Sequence, residues 1–175
     1  VYVGRTTPQH MGGFNIASSF KGIRLYAQFD YAFGFVILNN QIVRGLSQVQ
    51  GSQNSTTDVL KTWTPNNPTA TMPRYYWANQ GRNYATDASG NNPAANLWEK
   101  GDYVMLRELT LAYDLPTSVI SRYLANRVKG LSVNVTGSNL FYLSGYSGNF
   151  PEVGGVDQGK FPLPRRLTIG VRVTL

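Results

Sequence analysis

The sequence contains no cysteine and only one histidine, His10, among its 175 residues. The absence of thiols excludes a disulfide framework and any metal site built on thiolates. The presence of a single histidine almost excludes a multi-histidine metal centre and a catalytic triad that uses histidine. His10 lies in a turn-rich segment, residues 7–11, and is interpreted as a solvated loop residue. The sequence therefore predicts neither a metal ion nor a cofactor.

Charged residues are scarce as well, at 14% of the sequence against about 25% in soluble domains. The formal net charge is +7, but lysines and arginines are scattered singly, apart from Arg165 and Arg166. Because no basic run or basic helix face appears, the charge does not indicate binding to nucleic acid. The carboxylates have neither the spacing of a calcium loop nor that of a paired acid and base, so we predict that the chain is not an enzyme.

Long apolar runs are missing too. No run approaches the roughly 18 residues that a membrane-spanning helix needs, and the N-terminal residues have no signal-peptide features. The chain begins with Val1 instead of methionine. We therefore expect that, in an exported protein, these residues are not the beginning and the signal peptide lies outside them.

Alternation of apolar and polar residues is what the sequence has in abundance. A period of two residues predicts strands near residues 13–20, 23–33, 103–113, 131–136 and 167–175, and hence an all-β fold. In the second stretch the alternation runs from Ile23 to Phe33 without a break. Globular strands usually have about five or six residues, whereas a strand of about ten residues crosses a bilayer. The strand lengths therefore favour the wall of a membrane β-barrel.

Three local features separate the predicted strands or interrupt one of them. Lys21 and Gly22 predict a tight hairpin turn, and residues 117–127 have the apolar spacing of a short helix. Arg107 and Glu108 stand side by side, which interrupts the alternation and predicts a β-bulge. Strict alternation alone gives two opposite faces: Met105, Arg107, Leu109, Leu111 and Tyr113 on one, and Val104, Leu106, Glu108, Thr110 and Ala112 on the other.

Residues 39–100 and 145–163 carry no such period and are predicted to be long loops. A loop of more than about 15 residues is uncommon in a compact soluble domain, but long external loops and short periplasmic turns are typical of outer-membrane barrels. If Leu175 lies at the periplasmic end, residues 21–22 and 115–130 form periplasmic turns and the two long loops are extracellular. About five strands cannot close a barrel, because about eight is the minimum. A barrel therefore requires a larger protein.

Five motifs follow one another along the chain: the hairpin at residues 8–39, WTPNNP at 63–68 followed by MPR at 72–74, GDY to YDLP at 101–116, SNLF at 138–141 followed by YSG at 146–148 and PE at 151–152, and FPLPR at 161–165. In this order they resemble the motifs of the SusC/RagA-type TonB-dependent outer-membrane transporters of Bacteroidota. Two positions depart from the family. The last residue is Leu175 where the family commonly has an aromatic residue, and Asn149 and Phe150 precede Pro151 where the family often has an aspartate.

The resemblance implies that residues 1–175 are the C-terminal part of a transmembrane barrel of about 22 strands, whose plug domain, TonB-contacting segment and signal peptide lie outside this chain. Such a transporter lies in the outer membrane at the surface of a Gram-negative cell, contacts membrane lipid and imports oligosaccharides or peptides. It works with TonB and with a SusD-like surface lipoprotein, and its transporter–lipoprotein pairs can form a dimer. Neither a cofactor nor covalent chemistry is implied.

A barrel would give the two strand faces different surroundings. A charged residue that faces lipid costs about 2–4 kcal/mol at mid-bilayer, so the polar set is predicted to face the lumen and the apolar set to face lipid. The predicted lumen residues are Tyr26, Gln28, Asp30, Arg166 and Arg172, and the predicted lipid-facing residues are Phe29, Tyr31, Phe33 and Tyr113.

Aromatic residues of the first long loop are the candidates for ligand contact, because aromatic faces stack on sugars and anchor protein interfaces. With one arginine that could bind a polar group, they are Trp63, Arg74, Tyr75, Tyr76, Trp77 and Trp98. The alternative is that these side chains pack the loop against itself.

A second function class also stays open, a soluble β-sandwich module that binds carbohydrate. Strand length, the apolar face of residues 23–33 and the long loop favour the transporter.

Overall fold

The computed structural model describes residues 3–42, 56–70, 74, 97–124 and 128–175. Its strands are β1 (His10–Phe20), β2 (Ile23–Phe33), β3 (Val36–Asn39), β4 (Trp98–Lys100), β5 (Tyr103–Asp114), β6 (Gly130–Ser144), β7 (Val156–Asp157) and β8 (Arg166–Thr174). A 3₁₀ helix covers Thr57–Lys61 and an α-helix, α1, covers Thr117–Leu124. None of the helices in these ranges is long and apolar enough to cross a membrane.

The chain divides into two compact units. Unit 1 consists of Val1–Gln9, Gly34–Asp102 and Gly145–Phe161, and unit 2 consists of His10–Phe33, Tyr103–Ser144 and Pro162–Leu175. Unit 2 is built on a five-stranded antiparallel sheet in the order β1-β2-β5-β6-β8, here called the main sheet. Its strands have 9 to 15 residues, against about five or six in globular proteins. The predictions of an all-β fold and of about five long antiparallel strands are confirmed.

The turn between β1 and β2 is a two-residue hairpin turn, as predicted. Lys21 has a φ of 46° and Gly22 a φ of 83°, so both central residues are left-handed. Such a turn matches the right-handed twist of long paired strands. Glycine is needed at the second position for a further reason, because a Cβ on Gly22 would lie 2.8 Å from the carbonyl oxygen of Asp114.

The bulge predicted near Arg107 is confirmed. Between Leu106 and Glu108 the register of β5 shifts against both of its neighbours, β2 and β6, and Arg107 has no directly opposed residue. On β6, Asn139 lies in the stretch that faces this irregularity and adopts a φ of 55°. Asparagine is one of the few residues that tolerate this left-handed conformation.

The bulge makes one sequence-based assignment wrong. Directly opposed residues of an antiparallel pair point to the same face of a sheet. Leu106 opposes Phe29 and therefore shares a face with Leu109, while Met105 opposes Asp30 and shares a face with Glu108. The assignments of Met105 and Arg107 to the face of Leu109, and of Val104 and Leu106 to that of Glu108, are wrong because the inserted residue reverses the alternation.

The short helix predicted for residues 117–127 is confirmed as α1, which begins directly after Pro116. The amides of Val119 and Ile120 donate to the carbonyl oxygen of Pro116. Ile120 faces inward and is only 3% exposed. Residues 125–127 lie outside the described residues.

Unit 1 contains a small sheet in the order β4-β3-β7, in which β3 is antiparallel to β4 and parallel to β7. Leu38 and Leu97 form a buried pair, and Ile42, Trp98 and Val156 pack against it. The sequence pattern does not predict this sheet, because strands of 4, 3 and 2 residues are too short to show a period. Two of these strands, β4 and β7, fall inside the predicted long loops, whose extracellular position stays a prediction.

Candidate functional site

One face of the main sheet is apolar and exposed. On β8 it consists of Leu167, Ile169, Val171 and Val173, whose exposed fractions lie between 52% and 71%. The strand register continues this face across the sheet, and we call it the apolar face. Its other exposed members are Phe14, Ile16, Phe20, Ile23, Leu25, Phe33, Leu111, Tyr113, Val133, Val135, Phe141 and Leu143.

The opposite face, here the polar face, carries the charged and hydrogen-bonding residues of the same strands. It includes Arg24, Tyr26, Gln28, Asp30, Arg107, Glu108, Thr110, Ser132, Asn134, Thr136, Ser138, Arg166, Thr168 and Arg172. All the predicted lumen residues lie here, and all the predicted lipid-facing residues lie on the apolar face. The predicted separation into two faces is confirmed, while the surroundings of each face stay a prediction.

Two ion pairs on the polar face join β2 to β5. At the bulge, Arg107 Nε donates to Asp30 Oδ2 at 2.6 Å, with side chains 26% and 30% exposed. Nearer the hairpin turn, Arg24 Nη2 donates to Asp114 Oδ1 at 2.7 Å, with side chains 48% and 46% exposed. Water screens the second pair more, so its contribution to stability is below about 1 kcal/mol.

Hydroxyl and amide groups fill the polar face between these pairs. Thr110 Oγ1 donates to Glu108 Oε1 at 3.1 Å and lies 2.8 Å from Thr136 Oγ1. Because Thr110 has one hydroxyl proton, the bond to Thr136 runs from Thr136 to Thr110. Tyr26 donates its hydroxyl proton to Gln28 Oε1 at 3.2 Å. The face therefore consists of charged and neutral polar groups that are suited to contact with water or a polar ligand.

A groove of about 470 Å³ lies on the polar face. This volume is within the range of about 300–1,000 Å³ that is usual for small-ligand sites. The groove is lined by the larger side chains of Arg24, Tyr26 and Arg172 and by small residues, among them Ala17, Ser19, Ala112 and Ser132. We take this groove as the candidate site of unit 2.

A buried hydrogen-bond network holds the loops of unit 1 together. Asp157 is only 1% exposed, and it accepts a hydrogen bond from the Tyr146 hydroxyl at 2.8 Å and another from the Gly159 amide at 2.7 Å. Burial first, and the Asp157 carboxylate second, raise the pKa of Tyr146 above its usual value. Tyr146 therefore stays a neutral donor to Asp157.

A second part of the network connects β3, β4 and the segment after β6. Asn39, 2% exposed, donates through Nδ2 to Glu99 Oε1 and to Ser147 Oγ, both at 3.0 Å. Ser147 donates to the same carboxylate through its amide at 2.9 Å and its hydroxyl at 2.7 Å. The three residues are far apart in the sequence and none has a motif of its own, so sequence reasoning did not identify them as a group. The network stabilises the loops of unit 1.

The predicted loop candidates are only partly within the described residues. Trp98 lies in β4 and packs against Leu38 and Leu97, which supports the packing alternative for this side chain. Trp63 is half-buried just after the 3₁₀ helix, and Arg74 is exposed. Tyr75, Tyr76 and Trp77 lie outside the described residues. A ligand role for the set Trp63, Arg74, Tyr75, Tyr76, Trp77 and Trp98 therefore stays a prediction.

Among the described residues, no group of three or more histidine, cysteine, aspartate and glutamate side chains could hold a metal ion.

Comparison with known proteins identifies proteins of similar structure and sequence. No family model matches the chain. The structure is similar to that of the RagAB peptide importer in the closed-closed state, with a TM-score of 0.75, 27% identity, and coverage of 96% of this chain and 17% of that one. The RagAB peptide transporter gives a TM-score of 0.73 at 27% identity, and the match covers 93% of this chain and 17% of that one.

Two curated relatives match nearly the whole chain, and both come from Formosa agariphila. TonB-dependent receptor P26 is 28% identical over 186 residues, which covers 99% of this chain and 18% of the relative. TonB-dependent receptor P3 is 27% identical over 184 residues, which covers 98% of this chain and 17% of the relative. Over nearly its whole length, the chain is therefore similar to TonB-dependent receptors. The predicted resemblance to the SusC/RagA type is confirmed by the RagAB neighbours, since RagA is SusC-like.

The chain spans less than a fifth of the length of the curated relatives that it matches, at 18% and 17%. The similarity in structure extends over the same share of the RagAB chains, at 17%. The comparisons therefore concern one portion of each of these longer proteins.

Proposed function

We propose that this chain forms part of the wall of a TonB-dependent transporter in the outer membrane. Its apolar face would contact lipid and its polar face would line the lumen. The observation that carries the proposal is the opposite character of the two faces of the main sheet. Alternation of lipid-facing apolar residues with polar residues inside is the pattern of a transmembrane barrel wall.

The exposure of the apolar face supports contact with lipid. Leu167, Ile169 and Val171 are between 65% and 71% exposed, and the face continues over all five strands of the sheet. Monomeric soluble proteins rarely expose an apolar patch larger than a few hundred Å². In a membrane, lipid hydrocarbon would cover this aliphatic surface and keep it out of contact with water.

The arrangement of charge supports the same orientation. In the part of the main sheet that the structure describes, the two ion pairs lie on the polar face, as do Glu108, Arg166 and Arg172. Lipid at mid-bilayer penalises a charged side chain by about 2–4 kcal/mol. A lumen filled with water and polar ligands carries no such penalty.

The soluble β-sandwich receives less support. A sandwich buries the inner apolar faces of two sheets against each other, about 10 Å apart. The apolar face described above is exposed, including the aliphatic residues of β6 and β8. Similarity to receptors and importers also fits a role without enzymatic chemistry.

The substrate and partners are proposed from the relatives. The RagAB neighbours are described as a peptide importer and a peptide transporter, which favours peptides over oligosaccharides as the substrate class. By the SusC/RagA resemblance, the partners are TonB and a SusD-like surface lipoprotein, and two transporter–lipoprotein pairs would form a dimer.

Spin labels on neighbouring residues of β8 test the proposed orientation. Val171 and Arg172 point to opposite faces, so Val171→Cys and Arg172→Cys are matched variants of the full-length protein in bilayers. We expect the label at position 171 to collide with oxygen, which concentrates in lipid, and the label at position 172 to collide with a water-soluble nickel complex. Equal access of the nickel complex to both labels would contradict the proposal.

A further inference from the structure

Three separate stretches of the chain come together in unit 1. We call residues 3–9 the first segment, residues 34–42 with 97–102 the second, and residues 145–161 the third. All three connect to the same end of the main sheet, because β1, β5 and β8 begin at that end and β2 and β6 finish there. The hairpin turn at residues 21–22 lies at the other end, so the predicted orientation makes the end with the three segments extracellular.

The second and third segments share backbone, polar and apolar contacts. β3 pairs with β7, and the Leu38 amide donates to the Gly155 carbonyl oxygen at 2.9 Å. Asn39 of the second segment donates through Nδ2 to Ser147 Oγ of the third at 3.0 Å. Val156 of the third packs against the buried apolar pair that contains Leu38. Separation of these two segments would therefore break all three kinds of contact.

The first segment contacts both of the others. The Val36 amide of the second segment donates to the Arg5 carbonyl oxygen at 2.8 Å. The third segment passes close to Thr6, because a Cβ on Gly155 would lie 2.7 Å from Thr6 Cβ. Gly155 has a φ of 91°, and only glycine combines this conformation with so close an approach. Each of the three segments is therefore in contact with the other two.

Opening of a single segment would leave the other two incomplete. Asn39 and Asp157 are only 2% and 1% exposed, and a buried polar group is costly once its partner is removed. Removal of the third segment would take Ser147 from Asn39 and Val156 from Leu38 at the same time. Proteins open locally in contiguous cooperative units. The shared contacts therefore indicate that unit 1 opens as a whole.

We propose that unit 1 is one cooperative body that stays closed during transport, so that its three segments do not open separately as gates. The reference to transport rests on the proposed function, whereas the cooperativity of unit 1 does not. Any movement of the segments between states of the transporter would carry all three together, as in the rigid-body class of conformational change.

A covalent link between the second and third segments tests both parts of the proposal. Asn40 Nδ2 donates to Gln158 Oε1 at 3.1 Å in an exposed contact, so Asn40→Cys with Gln158→Cys places two thiols side by side. The chain has no cysteine of its own. A short bifunctional methanethiosulfonate joins the two thiols in the full-length transporter, and a reductant releases them. The single variant Asn40→Cys, given the same reagents, is the control and should respond to neither.

Hydrogen exchange of the purified protein in detergent measures the cooperativity. The link closes a long loop, which disfavours the opened state of unit 1. Exchange at the Leu38 amide, beside the link, should slow about tenfold or more. The Val36 amide should slow by the same factor, although it bonds to Arg5 in a segment that the link does not touch. Slower exchange at Leu38 with unchanged exchange at Val36 would mean that the segments open separately, and would overturn the proposal.

Uptake of a short-peptide library by cells measures the part that concerns transport. The linked and released forms should take up peptides at the same rate, because the segments stay together in both. A loss of uptake on linking that the reductant restores would overturn the proposal, since the segments would then have to separate. If the unchanged protein takes up no peptides while Val36 and Leu38 slow together, the proposed substrate class is wrong and the cooperative body is supported.

Discussion

Three aspartates that look alike in the sequence have different surroundings in the structure. Asp114 forms a half-exposed ion pair, Asp30 forms a less exposed pair at the bulge, and Asp157 is buried with a phenol and an amide as donors. A buried carboxylate is costly unless its oxygens are hydrogen-bonded. Loss of a hydrogen-bond donor to Asp157 should therefore destabilise the protein far more than loss of Arg24 as the partner of Asp114.

This dependence predicts a sensitivity to alkali through Tyr146. Its pKa is raised by burial and by the neighbouring Asp157, from a usual value of about 10. The unfolded chain therefore releases the phenol proton at a lower pH than the folded protein does. The contribution of Tyr146 to stability is fully present below about pH 10 and is lost as the pH rises above it.

Tyr146→Phe tests this sensitivity by unfolding in detergent at a series of pH values. At neutral pH the free energy of unfolding of the variant should be about 1–2 kcal/mol lower than that of the unchanged protein, because Asp157 loses a donor. Between about pH 9.5 and 11, the stability of the variant should fall less than that of the unchanged protein. Tyr26→Phe, which removes a half-buried tyrosine hydroxyl on the polar face of the main sheet, serves as the control. Parallel pH curves for Tyr146→Phe and the unchanged protein would be inconsistent with the described contact.

At the scale of single elements, the bulge separates what the sequence could predict from what it could not. The adjacent Arg107 and Glu108 indicated that the period breaks, and the structure has the bulge there. The pattern alone could not say which residues change face, because that depends on which strand carries the extra residue. Strict alternation was therefore right from Glu108 to Tyr113 and wrong before it.

The left-handed residue of β6 gives a prediction about this element. Asn139 has a φ of 55° and donates to the Pro164 carbonyl oxygen at 3.2 Å. Asn139→Gly and Asn139→Val both remove this hydrogen bond, but only valine is strained at positive φ. The valine variant should be less stable than the glycine variant by about 1–3 kcal/mol. Thermal unfolding of the full-length protein in detergent measures the difference, and equal stabilities would refute the assigned conformation.

At the scale of the whole chain, the sequence predicted the main sheet because its strands are long enough to show a clear period. The small sheet of unit 1 has strands of 4, 3 and 2 residues, which show no period. The groove also escaped prediction, since it depends on cross-strand neighbours such as Ala112 and Asn134 that are far apart in the chain. Of the predicted loop residues, Trp98 could be placed and it packs inward.

The main sheet also predicts how the 175-residue chain behaves alone. Its apolar face is exposed, and its outer strands β1 and β8 each have an unpaired edge in the described sheet. Exposed apolar surface and open edges both promote association. The isolated chain should aggregate in plain buffer and stay dispersed in detergent, as measured by light scattering.

A variant with threonine at Leu167, Ile169, Val171 and Val173 should scatter less in plain buffer than the unchanged chain. Threonine keeps the β-branched shape that favours strands while it reduces the apolar surface. A monodisperse species of 19.4 kDa in plain buffer, formed by the unchanged chain, would speak against the barrel-wall proposal and for the soluble module.

The pairing of β2 with β5 has a consequence for the order of folding. β1 and β2 are joined by two residues and β5 and β6 by a short helical connection, whereas β2 and β5 are separated by residues 34–102. Closing a longer loop costs more chain entropy, so the two local hairpins should form first and the seam between β2 and β5 last. Both ion pairs of the described sheet, Arg24 with Asp114 and Asp30 with Arg107, cross this seam. A slip of one residue there would separate both pairs, so these charges select the correct alignment at the slowest step of assembly.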